Sequence, residues 1–330
     1  MGTREELKML QALPLEVKVK KTKQRIQEWI DYYGLGNVYV SVSGGKDSQV
    51  LLHIAKQVDP NITGLFINTG LEFNSVRRKG EELADIVIRP EMMFVDVLKT
   101  YGYPVISKQV SQCVEEARLG LKHGDGRYQY RIDAFNGTLL DKNGNKSSYQ
   151  YQKYKPLLYA PFRISHKCCN IMKKRPAHKF STQTGKKGII GAMATESVLR
   201  SQRWVKYGCN AFEARYPSSH PLSFWTEQDI LEYAERNELE LAEVYGEIKH
   251  YNDVYSLTGE KRTGCTFCLF GAHIDGRMAR LREIDKNKYD FVMRGGEFDN
   301  EGLWIPNKEG LGLKFVIDWM NDNLDILINY

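Results

Sequence analysis

No stretch of apolar residues in this 330-residue chain approaches the roughly 18 that a membrane-crossing helix needs. The opening residues, Met1 to Glu6, are charged and do not lead into the apolar segment of a signal peptide, so the expectation is a cytoplasmic protein without a secretory address. Internal repeats and low-complexity segments are absent, and the fibrous classes go with them. A strong excess of one charge is missing too. The 47 Lys and Arg against 41 Asp and Glu leave +6, which permits a phosphate-bearing partner without requiring one. What the chain does have is 42% hydrophobic and 11% aromatic residues, enough for one sizeable core and a smaller second one, and this excludes disorder.

Cysteine is scarce but grouped. Of six, Cys168 and Cys169 are adjacent and Cys265 and Cys268 form a second close pair, while Cys113 and Cys209 stand alone and read as small buried hydrophobes. In a cytosolic chain such grouping points to a metal or redox site rather than a disulfide frame. Four thiolates suit a [4Fe-4S] cluster or a zinc ion, and adjacent cysteines crowd a single tetrahedral ion where a cluster offers separate irons. A cluster-free redox pair and plain buried thiols are the remaining readings.

Hydrophobic periodicity predicts a helix over Glu5 to Tyr33, broken at Pro14, whose basic residues from Lys18 to Arg25 read as a solvated face. A β-branched run from Asn37 to Ser43 ends in Gly44-Gly45, and a helical pattern resumes at Gln49. Ile62 to Asn68 reads as a second strand, with a charged helix from about Asn74 to Ala84. Such alternation argues for a parallel sheet with crossover helices. Residues 123–154 turn polar and loop-like with scattered tyrosines, an insertion placed to act as a lid. Beyond it the pattern predicts a helix from Cys168 to about Phe180, a strand from Lys187 to Met193, a helix from Thr226 to Arg236 with Thr226 as N-cap, and a last helix from about Leu313 to Leu327.

Ser43-Gly44-Gly45-Lys46-Asp47-Ser48 thus lies between a strand and a helix, where glycines let backbone N–H groups approach an anion and the helix N-terminus adds positive potential. Lys46 would neutralise phosphate charge, Ser43 and Ser48 would donate hydrogen bonds, and Asp47 would hold Mg2+ or cap the helix. The hexapeptide resembles the PP-loop of the adenine nucleotide alpha-hydrolase-like superfamily. Later segments are similar to the phosphoadenylyl-sulfate and adenylyl-sulfate reductase branch. Asn68-Thr69-Gly70 with Phe73 resembles its "DTG…F" motif, and Cys168-Cys169 with Lys173 and Pro176 its "CC…K…P" helix. Gly191 to Ser197 with Arg200 resembles its "G-x-R-x-x-E-S-x-x-R" turn, Pro221-Leu222 with Trp225, Thr226 and Asp229 its "PL…WT…D" helix, and Gly264 to Cys268 its C-terminal cysteine pair.

The resemblance implies a Rossmann-like α/β fold with a parallel sheet and a mainly helical C-terminal region. Its expected divisions are an N-terminal helical segment (1–35), a nucleotide-binding domain (36–200) and a C-terminal region (201–330) that completes the cysteine group. It implies a nucleotide site at Ser43, Gly44, Gly45, Lys46, Asp47, Ser48, Asn68, Thr69, Gly70, Glu196 and Ser197, with Lys46, Asp47 and Arg200 catalytic. It assigns Cys168, Cys169, Cys265 and Cys268 to a [4Fe-4S] cluster. Two departures shift the expected chemistry. The family's reductases attack sulfate sulfur with a cysteine near the C-terminus, and no cysteine stands between Leu269 and Tyr330; Met193 also replaces the arginine of the turn. The expectation is therefore an ATP-dependent, Mg2+-assisted enzyme that adenylylates a substrate for sulfur transfer, with a nucleic acid as a compatible acceptor. The alternatives are a sulfonucleotide reductase served by a thioredoxin-like reductant, with Cys209 as substitute nucleophile, and a non-catalytic nucleotide or redox sensor in a larger assembly.

Overall fold

Pro14 separates the first two helices of the computed structural model, which describes residues 2–330. In chain order the elements are α1 (Arg4–Gln11), α2 (Leu15–Tyr33), β1 (Val38–Val42), α3 (Lys46–Val58), β2 (Thr63–Ile67), α4 (Asn74–Leu83) and β3 (Ile86–Ile88). Then come α5 (Phe94–Tyr101), β4 (Val105–Ile106), α6 (Lys108–His123), α7 (Gln129–Asn136), α8 (Arg175–Thr184), β5 (Lys187–Ile190) and α9 (Val198–Tyr207). β6 (Asn210–Ala211), β7 (Ser218–Ser219), α10 (Glu227–Arg236), β8 (Ile248–Tyr251), β9 (Val254–Leu257) and β10 (Leu269–Phe270) follow. The chain closes with α11 (Ala272–Asp275), α12 (Arg277–Ile284), α13 (Lys286–Met293), β11 (Glu297–Phe298), β12 (Trp304–Ile305) and α14 (Leu313–Asn323).

These elements divide between two units that interleave along the chain: residues 2–90 with 173–264, and residues 91–172 with 265–330. The first unit holds a six-stranded sheet of order β3-β2-β1-β5-β7-β6, parallel except where β6 meets β7. Val38, Val40 and Val42 on one face of β1 and Tyr39 on the other are all buried, as expected of a strand covered on both faces. Ile26 and Trp29 of α2, Val50, Leu51 and Ile54 of α3, and Ile230 and Ala234 of α10 complete this core. In the second unit β4 pairs in parallel with β10, and α5 to α7 and α11 to α14 supply the helices.

Several expectations change on inspection of the structure. The basic stretch of α2 is not uniformly solvated: Lys18 is 2% exposed and its ammonium meets both carboxylate oxygens of Asp229 at 2.6 and 2.8 Å. Asp229 is the N3 residue of α10, where it also accepts from the Thr226 N–H and hydroxyl, so the capping box and the ion pair share one carboxylate. Thr22, one turn further along α2, accepts from the Trp225 indole at 2.9 Å. A charge that helical periodicity puts on a polar face is thus drawn inward by a partner more than two hundred residues away.

Residues 123–154 are not all loop. They contain α7, whose Arg131 pairs with Glu116 of α6 at 2.6 Å, and Tyr151 packs on Phe135 at 5.7 Å. The helix expected from Cys168 is interrupted by a π turn over Asn170–Lys174 before α8 begins. Beyond residue 200 the chain is not wholly helical, since β6 and β7 extend the main sheet and β8 and β9 form a hairpin.

Removing one partner of the buried pair leaves an uncompensated charge, which costs about 3–5 kcal/mol. Lys18→Ala is expected to lower the stability of the first unit by that amount in urea unfolding. Lys18→Met combined with Asp229→Leu should recover most of the loss relative to Lys18→Ala, apart from the capping bonds that Asp229 makes.

Candidate active site

Three segments singled out in the sequence leave the C-terminal ends of adjacent parallel strands. Asn68-Thr69-Gly70 follows β2, the PP-loop follows β1, and Gly191 to Ser197 follows β5. The strand order reverses direction between β1 and β5, the point of an open α/β sheet where ligands are held.

The PP-loop is built by close approach. Gly44 has φ +71°, and a Cβ there would lie 1.9 Å from the carbonyl oxygen of Val76 in α4, so only glycine fits. Gly45 is the N-cap of α3. Ser48 closes the turn: its hydroxyl donates to the Gly45 carbonyl at 2.8 Å, accepts from the Ser43 N–H at 3.0 Å and lies 3.0 Å from the Ser43 hydroxyl. Lys46 is buried, with its ammonium 3.2 Å from Glu227 and donating to the Lys261 carbonyl at 2.8 Å. Its backbone N–H donates to the Tyr245 hydroxyl at 3.2 Å, and that hydroxyl is 2.5 Å from the Thr263 hydroxyl. Burial pushes the Tyr245 phenol up to about 12.

Asp47 follows with a buried Oδ1 that has no hydrogen-bond partner. Burial raises its pKa, with Glu227 adding to the rise and Lys46, Arg200 and Arg262 opposing it. Arg200, on α9, pairs with Glu196, which also accepts from the Met193 N–H at 2.9 Å; Ser197 caps the same helix by accepting from the Arg200 N–H at 3.3 Å. Met193 itself is buried in the core of this unit. On the β2 side, Asn68 donates to Glu81 at 2.7 Å and accepts from the Gly70 N–H at 3.1 Å, while Thr69 donates to Glu72 at 2.6 Å. Glu227, Tyr245, Lys261, Arg262 and Thr263 were not singled out in the sequence. They reach Lys46 and Asp47 from the start of α10 and from the segment after it, and no local pattern marks them.

Cys209 is buried near Ser223, 3.4 Å away, and burial raises its thiol pKa. It has neither the exposure nor the thiolate character of a nucleophile. His220 nearby is held neutral, pushed down to about 3 by burial and by Arg203 and Arg200.

The four grouped cysteines belong to the second unit. Tyr103 bridges to Ile164 on one side of the β4 segment, and Val105 pairs with Leu269 on the other. Cys168 follows the first neighbour and Cys268 directly precedes the second, so the strand pairing brings the two pairs together. Glu115 of α6 steadies the approach to Cys168, bonding Lys167 at 2.5 Å and His166 at 3.2 Å. The Cys168 and Cys169 sulfurs are 4.0 Å apart, far beyond a disulfide bond. The hydrogen bond with Cys169 and burial both raise the Cys168 pKa, with added repulsion from Cys169, Cys268 and Cys265; Cys268 is pushed up to about 12, mainly by burial. Among the described residues no group of three or more His, Cys, Asp or Glu side chains is arranged to hold a metal ion. Four thiols from two segments that feel one another still have the donor chemistry of a polynuclear iron-sulfur centre.

With this geometry in place, comparison with known proteins is informative. The chain matches the family model of the phosphoadenosine phosphosulfate reductase domain over residues 37–116 and 122–268, which include every candidate residue named above. The chain belongs to the phosphoadenosine phosphosulfate reductase family. It is 23% identical over 274 residues to an adenosine 5'-phosphosulfate reductase of Staphylococcus haemolyticus, covering 81% of this chain and 86% of that protein. A phosphoadenylyl-sulfate reductase structure from Candida auris, in complex with phosphate, aligns with a TM-score of 0.38 at 13% identity, covering 77% of this chain and 98% of that one. Membership of this enzyme family supports the sulfonucleotide-reductase alternative better than the ATP-dependent sulfur transfer expected from the sequence. No helix among the described residues is long and apolar enough to cross a membrane.

Two results are expected from the loop. Gly44→Ala should lower the melting temperature and abolish nucleotide retention, whereas Gly70→Ala, with nothing within 4 Å of its Cβ, costs only the roughly 1–2 kcal/mol of a left-handed backbone. Because the folded state raises the Asp47 pKa above its unfolded value of about 3.9, stability falls as pH rises through that interval. Asp47→Asn should therefore be more stable than the parent at neutral pH, with the gap closing below about pH 4, in urea unfolding across a pH series.

Proposed function

We propose that this chain is a sulfonucleotide-processing enzyme that binds adenylyl sulfate or its 3′-phosphorylated form at the PP-loop and directs the sulfo group to a thiol. The observation that carries the reading is the convergence of Lys46, Asp47 and Arg200 with the Asn68-Thr69-Gly70 and Glu196-Ser197 turns at the C-terminal edge of one parallel sheet. The chemistry is a displacement at sulfur: a thiolate bonds to the sulfo sulfur, the S–O bond to the nucleotide breaks, and AMP or, from the 3′-phosphorylated substrate, adenosine 3′,5′-bisphosphate leaves. A second thiol then attacks the thiol-derived sulfur of this S-sulfo adduct, releasing sulfite and forming a disulfide, so a dithiol supplies the two electrons. Buried Cys209 is unsuited to the first attack, and the reading assigns both thiols to a thioredoxin-like reductant. This chain's part is to hold the nucleotide and neutralise charge on its 5′-phosphate as it departs, the kind of stabilisation worth about 100- to 1,000-fold in rate for a single donor.

A second reading keeps the ATP-dependent transfer, in which a substrate oxygen displaces Mg2+-bound pyrophosphate from ATP and a sulfur nucleophile then displaces AMP. The lack of any cysteine from Leu269 to Tyr330 favours it. In either reading we assign Cys168, Cys169, Cys265 and Cys268 to a [4Fe-4S] centre, whose positive irons would offset charge on the four thiolates. A sulfur-accepting nucleic acid belongs to the second reading alone.

Release of sulfite with AMP from adenylyl sulfate, or with adenosine 3′,5′-bisphosphate from its 3′-phosphate, with thioredoxin supplied, tests the first reading against pyrophosphate release from ATP. Lys46→Ala should cut sulfite release about 100-fold or more; unchanged turnover would remove Lys46 from the site, and nucleotide binding without turnover of any of the three would point to a sensor. Anaerobically purified protein should carry about four irons and four sulfides, lost in Cys265→Ser. Zinc alone would overturn the cluster assignment.

A further inference from the structure

Next to the PP-loop, the segment Lys261-Arg262-Thr263 is pinned on both sides of one arginine. The Lys261 carbonyl accepts from the Lys46 ammonium at 2.8 Å, and the Thr263 hydroxyl lies 2.5 Å from the Tyr245 hydroxyl that in turn accepts from the Lys46 N–H. The chain just before is fastened as well, with Gly259 N–H donating to the Tyr245 carbonyl at 2.9 Å and Glu260 N–H to the Val244 carbonyl at 2.8 Å. Between these fixed points Arg262 is exposed, and among the described residues no carboxylate lies within ion-pair distance of it. Its guanidinium is close enough to Asp47 and Arg200 to act on both electrostatically.

The other two cations of the site are already engaged: Lys46 by Glu227 and Lys261, Arg200 by Glu196. Arg262 is the one of the three without a carboxylate partner among the described residues, on a backbone whose position is set. A planar guanidinium so placed suits a bidentate grip on a tetrahedral oxyanion. We propose that Arg262 is a specificity-determining residue that binds the oxyanion beyond the α-phosphate of the adenine nucleotide, so that the site prefers a nucleotide bearing such a group over AMP. The inference rests on the nucleotide reading of the PP-loop. The shared chemistry is a sulfo group, as in adenylyl sulfate, or a β-phosphoryl group, as in ATP.

Titration calorimetry on the full chain with AMP, adenylyl sulfate and ATP tests it, for the parent, Arg262→Ala and Arg262→Lys. Arg262→Ala should weaken adenylyl sulfate or ATP by about tenfold or more, the scale of a lost charge-assisted pair, while AMP changes less than about twofold. Arg262→Lys should recover part of the loss. Which of the two larger nucleotides loses more identifies the source of the oxyanion. An equal loss for all three ligands would assign Arg262 to loop structure and overturn the proposal, as would no loss for any. A parent protein that binds none of the three would overturn the nucleotide reading itself, and this inference with it, whereas normal parent binding with an insensitive Arg262→Ala would sink this inference alone.

Discussion

Parallel pairing of β1 with β2 on one side and with β5 on the other decides where the chemistry of this chain emerges. Three strands that run the same way deliver three loops to the same edge, and each loop carries one of the motifs that the sequence singles out. The PP-loop can lie flat there only because Gly44 admits the Val76 carbonyl of α4. A side chain at that point would push the loop off the helix and take with it the N-terminus of α3, where Lys46 and Asp47 begin.

Charge in this edge is nearly balanced before any ligand arrives. Glu227 holds Lys46, Glu196 holds Arg200, and a partly desolvated Asp47 sits among them with one oxygen unsatisfied. Such an arrangement keeps the cations in place without collapsing the loop, since each has a protein partner that a more strongly charged oxyanion can displace. Desolvation of Asp47 works in the opposite sense, favouring its protonated form and lowering the local negative charge that an incoming anion meets.

The second unit solves a different problem, that of joining cysteines from distant parts of the chain. The Tyr103–Ile106 segment lies between the strand leading to Cys168 and the one leaving Cys268, and the Ser111 hydroxyl of α6 holds it by bonding both Val105 backbone groups. Ile106 accepts a φ of +61° in that position, a strained conformation for a β-branched residue, while its carbonyl receives the Gly271 N–H at 2.8 Å. Arg118, further along α6, donates to the carbonyls of Leu157, Ala160 and Phe162 and so ties down the chain that approaches Cys168.

Much of the first unit was legible in the residues themselves. The β-branched run before Gly44-Gly45, the alternation of strand and helix, and the Thr226 cap are local patterns, and local backbone preference is enough to express them. The family, too, was written in short ordered motifs. Other features lie outside any local window. Lys18 looks like one more cation on a polar face until α10 brings Asp229 to it, and Arg262 looks like any loop arginine until Tyr245 and Lys46 fix the backbone around it. The insertion shows its helix only when Glu116 and Phe135 give Arg131 and Tyr151 something to bind. By itself the sequence determined which strands and turns form and which motifs mark the family. Tertiary structure alone decided which charges are buried and which stay available, because desolvation and pairing depend on neighbours that the chain supplies only after it has folded back on itself.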